Sequence, residues 1–362
     1  MRLVTIASYM GTGSSAIADV LREFNDVSLC GPIKYEHVLL HIPNGLFDLE
    51  EKLLHNNNAL RSDEAIRSFK STMEYLYYNN FGWFGSYQRY IGPRFLEIVD
   101  EFVDSISGSF NGQWYYRTKP MKFSPVDLVL QIGACVLKKR KWSDYKGRWG
   151  KICKTYDSMV QYYAIPTAEK FYIAAQKFIN DYIQLFSPDV KDNTVILADQ
   201  LLLPHNLSRV DKYFNRDFRL IIVDRDPRDV FLLNKYFWRP NRCGVPIPMD
   251  VKQYCDYFKK IRQIIKPSNT DIVMNLMFED LVYDYDNICE EIARFIGISN
   301  ASHTQKRRLF KPENSINNTQ VFNGELASPS EQACIEQNLP NYLYKFPYRY
   351  SAQKSSMFDY DE

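Results

Sequence analysis

The 362-residue chain has no C-x-x-C pair, no apolar run of membrane-spanning or secretory length, no internal repeat and no low-complexity tract. Its seven cysteines (Cys30, Cys135, Cys153, Cys243, Cys255, Cys289 and Cys334) are odd in number and scattered. That pattern argues against a disulfide framework or a cysteine zinc module and for reduced thiols in the cytoplasm. The formal net charge is only +2, so no global field favours nucleic acid, and partners have to be read from local patches. The N-terminal "RLVTIAS" passes straight into a glycine turn, without the apolar stretch of a signal peptide. Histidine is scarce, five in all, which narrows any search for a catalytic imidazole.

Apolar residues make up 45% of the chain, ample for a large core. The 26 tyrosines, 23 phenylalanines and 5 tryptophans are densest over Tyr75–Tyr90, "YLYYNNFGWFGSYQRY". Such a stretch is either core filler or the stacking wall of an acceptor pocket.

Five short β-rich runs stand out: Leu3–Ala7, Val27–Cys30, Thr194–Ala198, Arg219–Val223 and Asp271–Met277. Most precede a helical pattern, which predicts a parallel sheet with crossover helices. Helices are expected over Ser14–Phe24, over Val251–Ile265, and in "DNICEEIARFIG", opened by a capping Asp286 and closed by Gly297. Residues 45–190 read as a helical and aromatic insertion on the acceptor side of the sheet, inside one domain spanning 1–345, with 346–362 as a tail.

Residues 6–17, "IASYMGTGSSAI", place Gly11 and Gly13 between a strand and a helix, where bare N–H groups and the helix dipole favour an anion. Thr12, Ser14 and Ser15 add hydroxyls. A nucleotide-triphosphatase loop needs G-x-x-x-x-G-K-[ST], but Ser8 stands at its first glycine and Ser14 at its lysine. A second motif, "RLIIVDRDPRDVFLLNKYFW" (219–238), delivers Arg225 and Arg228 at a strand's end, where two guanidiniums can grip a phosphate in a forked geometry. Asp224 closes that apolar run as a Walker B magnesium ligand would, which keeps an ATP- and magnesium-dependent phosphotransferase as an alternative.

On these segments the chain resembles the sulfotransferases that use 3′-phosphoadenosine-5′-phosphosulfate (PAPS). It is similar to them in the N-terminal strand–loop–helix, in the Arg-x-Pro-[Arg/Lys]-Asp turn, in "FEDLVYDYDNICEEIARFIGI" (278–298) and in "RRLFKPENSINNTQVF" (307–322). "YEHVLLHIPNGLFDLEEKL" (35–53) resembles a stretch of bacterial polysaccharide-type members. The resemblance implies a three-layer α/β/α fold with a central parallel sheet and a large helical insertion. It implies sulfuryl transfer from PAPS to a hydroxyl, PAP as product and no metal requirement. Gly11, Thr12, Gly13, Ser14 and Ser15 would hold the 5′-phosphosulfate. Arg225 and Asn234, with Arg307, Arg308, Ser315 and Asn318 of the closing loop, would hold the 3′-phosphate. Two departures stand out: Gly11 occupies the usual place of a loop lysine or arginine, and Leu233 that of a serine. Lys34, Arg228 and Lys235 are the candidates to supply the missing cation, and a non-catalytic nucleotide-binding relative is the other reading of the loss.

The acceptor hydroxyl needs a base at a strand's carboxyl end. His41, before the turn in "HIPNG", is the first candidate, then Glu36, with His37, Asp199 and His205 nearby. Residues 138–154 carry eight basic residues against one aspartate, with Trp142, Tyr145 and Trp149 interleaved. They read as a solvated face, a track for an anionic glycan, or a peripheral seat on a membrane surface. The acceptor expected is a glycan or lipid-linked saccharide, with a steroid or other lipid alcohol next.

Overall fold

The computed structural model describes residues 2–112, 160–188, 194–214, 217–238, 247–263, 270–324, 326, 328–352 and 357. In chain order, the elements used below begin with β1 (Arg2–Ser8), α1 (Ser14–Arg22), β2 (Val27–Leu29), α2 (Ala59–Tyr78), α3 (Arg94–Ile106), β3 (Gly108–Asn111), β4 (Val160–Tyr163) and α4 (Ala168–Phe186). They continue with β5 (Val195–Asp199), β6 (Phe218–Asp224), α5 (Pro227–Leu233), α6 (Val251–Gln263), β7 (Val273–Met277), α7 (Phe278–Tyr283), α8 (Tyr285–Ile296) and α9 (Pro329–Asn338).

Five strands form one parallel sheet in the order β2-β5-β1-β6-β7. The first strand in sequence therefore lies at the centre. From it the chain leaves through α1 to the β2 edge, and after β5 it crosses to the other side, which opens a crevice beyond the carboxyl ends of the strands. All five runs expected from sequence are strands of this sheet, each within two residues of its expected ends.

Both faces of the sheet are covered, because alternate strand residues point opposite ways. Val4, Ile6, Ile221 and Val223 pack with Ile17, Val20 and Leu21 of α1 and with Ile288, Ile292 and Ile296 of α8. Ala7, Ile196, Ala198, Leu220 and Ile222 face the helices of the insertion. There the rings of Phe69 on α2, Phe102 on α3 and Phe178 on α4 meet at centroid distances of 5.1–6.0 Å. Each buried phenylalanine contributes roughly 1.5–3 kcal/mol. The insertion also carries an antiparallel pair, β3 with β4, that the sequence reading did not anticipate.

Two expectations are corrected. Helix α8 starts at Tyr285 after Asp284, so Asp286 lies inside its first turn, where it pairs with Arg307 at 3.1 Å instead of capping. Gly297 does end the helix, at φ 70. Residues read as tail are docked: Gln320 Nε2 donates to the Tyr348 carbonyl, Tyr350 N–H donates to Gln320 Oε1, and Ala352 and Met357 are buried. Alternating aromatics (Phe346, Tyr348, Tyr350) supply the packing that a solvated tail would lack. The basic stretch 138–154 lies outside the described residues.

Candidate active site

The turn after β1 is wound through three left-handed residues, Met10 (φ 68), Gly11 (φ 68) and Gly13 (φ 104). Two aromatic rings lie against the glycines. A Cβ on Gly11 would fall inside the indole of Trp238, and one on Gly13 would meet the Phe278 ring at 2.7 Å. The loop therefore admits no side chain at either position. Thr12 is fully buried, and its hydroxyl donates to the Val223 carbonyl at 2.6 Å, which fastens the loop to β6 instead of facing a ligand. Ser14 and Ser15 open α1, whose first turn carries no acidic residue. This end of the loop keeps the N–H groups and hydroxyls that suit an anion.

Beyond β6, Arg225 is buried, with its guanidinium 4.4 Å from the centre of the Phe278 ring and donating to the Asn318 carbonyl. Phe278 thus touches both the glycine turn and the arginine, so one ring fixes the spacing of the two expected anion grips. Arg228 does not join Arg225 in a fork. It is bonded bidentately to Asp226, reaches Glu336 at 3.0 Å, and its guanidinium lies 3.8 Å from the centre of the Phe322 ring. Lys235 is paired with Glu331 at 2.7 Å. Of the three expected cation donors, Lys34 alone forms no ion pair within 4 Å among the described residues; it helps line a small cavity with Ser15 and Asp199.

The acid of the apolar run is also engaged. Asp224 accepts from Arg262 Nε at 2.7 Å and Nη2 at 2.6 Å, and Arg262 is covered by the Tyr9 and Phe258 rings. A carboxylate held that way is a structural partner of arginine, which removes the feature that favoured a magnesium phosphotransferase. Asn234 is buried, its amide donating to the Ile247 carbonyl at 3.2 Å. Ser315 and Asn318, within the closing stretch, are buried. Arg307 and Arg308 point to the outer surface, toward Asp286 and Gln305.

Residues 202–325 match the family model described as the sulfotransferase domain. That segment is similar to sulfotransferases. The matched span contains β6, the Arg225 turn, α7, α8 and the whole closing stretch. Two solved structures are similar at low identity. The sulfotransferase domain of the Synechococcus PCC 7002 olefin synthase is 12% identical, with a TM-score of 0.34, covering 100% of this chain and 95% of that one. Sulfotransferase STF9 of Mycobacterium avium is 13% identical, with a TM-score of 0.35, covering 97% of this chain and 78% of that one. No curated protein matches the chain. Among the described residues no helix is long and apolar enough to cross a membrane.

The residues expected to supply a base gather where β1 and β5 end. Gln200, at φ 56, donates to Ser8 Oγ at 2.8 Å, and its carbonyl is 2.8 Å from His41 Nε2. His37 is sealed in: its Nδ1 lies 2.8 Å from the Tyr182 hydroxyl and its Nε2 2.7 Å from the Cys30 carbonyl. Burial pushes its pKa down to about 4, so it is a neutral structural imidazole. Burial lowers His41 as well. His205 packs edge-on against the Tyr9 ring at 5.8 Å.

Glu36 differs from the histidines. Its backbone N–H donates to the Trp83 carbonyl at 2.7 Å, it bridges to Asp199 of β5, and its half-buried carboxylate accepts no hydrogen bond from an amide, a hydroxyl or a cation among the described residues. Burial pushes its pKa up to about 7. Asp199 is raised well above the usual carboxylate range, by burial first and by Glu36 second.

Sequence reasoning missed one hub altogether. Glu23, fully buried at the end of α1, accepts from the Leu309 and Phe310 amides, the Tyr285 hydroxyl and His303 Nε2, at 2.5–3.0 Å. It ties the glycine-turn helix to the closing stretch. A glutamate on the polar-looking end of an amphipathic helix gave no signal of this.

Proposed function

We propose that the protein transfers the sulfuryl group of PAPS to an acceptor hydroxyl, with Glu36 as the general base. In the reaction the acceptor oxygen bonds to sulfur, the bond from sulfur to the 5′-phosphate oxygen breaks, the acceptor proton passes to Glu36, and PAP departs. Positioning and charge stabilisation supply most of the rate, as in phosphoryl transfer. The glycine-turn amides with Ser14 and Ser15 receive the 5′-phosphosulfate, Lys34 is the cation beside them, and Arg225 reads the 3′-phosphate.

The observation that carries the choice of base is the bonding state of the three residues after β2. Both ring nitrogens of His37 and Nε2 of the largely buried His41 are committed, to Tyr182, Cys30 and Gln200, whereas the half-buried Glu36 carboxylate is engaged by no amide, hydroxyl or cation among the described residues and bridges to the end of β5. A base with a pKa near the working pH is the effective one.

The acceptor we propose is a hydroxyl of a glycan or lipid-linked saccharide. Trp83, 51% exposed and bonded through its backbone to Glu36, offers a ring face of the kind sugars stack on. A sterol or other lipid alcohol is the competing acceptor. The first test is a thermal-shift titration with PAP, ATP and ATP plus magnesium, since a ligand of the native state stabilises in proportion to the logarithm of its concentration over Kd. Stabilisation by PAP at concentrations where ATP does little supports the reading. An effect of ATP–magnesium alone overturns it. Glycan and sterol acceptors are then screened with radiolabelled PAPS.

A further inference from the structure

Two carboxylates, Glu36 and Asp199, meet at the carboxyl end of β5. Glu36 and Asp199 are paired residues of a parallel bridge, so their side chains leave the backbone on the same face, side by side. The pairing is fixed on both flanks: Glu36 N–H is held by Trp83 and His37 N–H donates to the Asp199 carbonyl at 2.9 Å. Asp199 Oδ1 is buried and has no hydrogen-bond partner among the described residues. A buried carboxylate oxygen without a donor is costly when ionised and tolerable when it carries a proton.

The other charged groups around the pair do not neutralise it. Helix α1 presents Asp19 and Arg22, which are bonded to each other at 2.8 Å, and the segment after β2 presents the exposed Lys34. His37 faces away into its own pocket, and His41 reaches the pair only through the Gln200 carbonyl. No cation is within 4 Å of either carboxylate among the described residues.

We infer that Asp199 is a positioning residue: it stays protonated and donates that proton to the Glu36 carboxylate, so the pair begins the reaction with one proton and ends it with two. The acceptor proton is the second. Glu36 then releases it to water, and the pair is reset for the next turnover. The donated hydrogen bond also aims the free Glu36 oxygen at the acceptor. This inference rests on Glu36 being the base, but the arrangement of the pair is testable without any assay.

The test is a carbon-13 carboxyl titration of protein labelled in glutamate side chains, with Glu36→Gln identifying the signal. It is run on the wild type and on Asp199→Asn and Asp199→Leu. Asparagine keeps a neutral donor; leucine removes it while filling similar space. The expected result is a Glu36 titration near neutral pH, held within about half a unit by asparagine and raised by about one unit or more by leucine, because the ionised form loses its donor. The acid limb of kcat/KM moves with it, a response that a purely structural Asp199 would not produce. A Glu36 signal that ignores both substitutions, or that titrates in the ordinary glutamate range, overturns the inference. Absence of PAPS-dependent transfer with the titration as expected overturns the proposed function and leaves the paired carboxylates standing.

Discussion

The indole of Trp238 stands in the space that a side chain on Gly11 would need. Resembling loops carry a lysine or arginine there, and here an aromatic ring takes the place of that cation. Gly11→Lys is expected to cost about 1–3 kcal/mol of stability, from the left-handed φ and the clash together. If the ring is the main obstacle, Trp238→Ala relieves part of that cost, so the double variant is less damaged than the sum of the two single ones. Urea unfolding of all four proteins checks this. Simple additivity would assign the whole cost to the backbone angle.

Arg225 is the buried guanidinium expected to read the 3′-phosphate. Arg225→Lys keeps the charge and loses the fork and the stacking on Phe278. Calorimetry should show PAP affinity falling about tenfold or more, a loss of at least about 1.4 kcal/mol. AMP, which lacks the 3′-phosphate, should change little. An equal loss for both nucleotides would mean that Arg225 holds the fold instead of reading the ligand.

The pair of Asp224 with Arg262 predicts a stability asymmetry. Removing one partner leaves a mostly buried charge unpaired, so Arg262→Ala should cost about 3–5 kcal/mol in urea unfolding. Replacing both, as Asp224→Leu with Arg262→Met, should recover much of that. Magnesium should leave the activity of the wild type and of Asp224→Asn equally unaffected.

Stability and catalysis should oppose each other at Glu36. Its folded pKa is raised to about 7, so between the unfolded value near 4.5 and 7 the folded state holds more protons than the unfolded one. Stability contributed by that proton is fully present below about 4.5 and is lost as pH rises through 7. Glu36→Gln should therefore be more stable than the wild type at pH 7–8, with the gap closing toward pH 4.5, while its turnover falls about 100-fold or more. His37 works the other way: with a folded pKa lowered to about 4, its contribution is present above 6.5 and lost as pH falls toward 4. Melting curves across pH 4–8 separate the two slopes, and a Glu36→Gln variant no more stable than wild type at pH 8 would count against the raised Glu36.

Much of this architecture was legible in the residues themselves. The sheet strands were legible because runs such as "RLIIV" are buried on both faces, and α1 and α8 because their apolar residues recur at helical spacing. Gly11 and Gly13 were legible as a turn, although the ring that excludes a lysine there lies in another part of the chain. What a titratable side chain bonds to was not legible. Asp224 meets Arg262 across 38 residues, Thr12 reaches β6 across 211, and His37 is sealed by Tyr182 across 145. Spacing along the chain carries no record of such partners, so Arg228 and His37 read as site residues although their bonds are structural. Glu36, the base we propose, read as a second choice for the same reason.

The placement of β1 at the centre of the sheet sets an order of events during synthesis. Its neighbours β5 and β6 emerge from the ribosome roughly two hundred residues later, and the Tyr348–Tyr350 strap that holds Gln320 comes later still. Pairings of such long sequence separation form slowly and leave strand edges bare in the interim. The nascent chain will therefore need shelter until that strap has emerged, and a ribosome-stalled product ending before residue 320 should bind chaperone and not PAP.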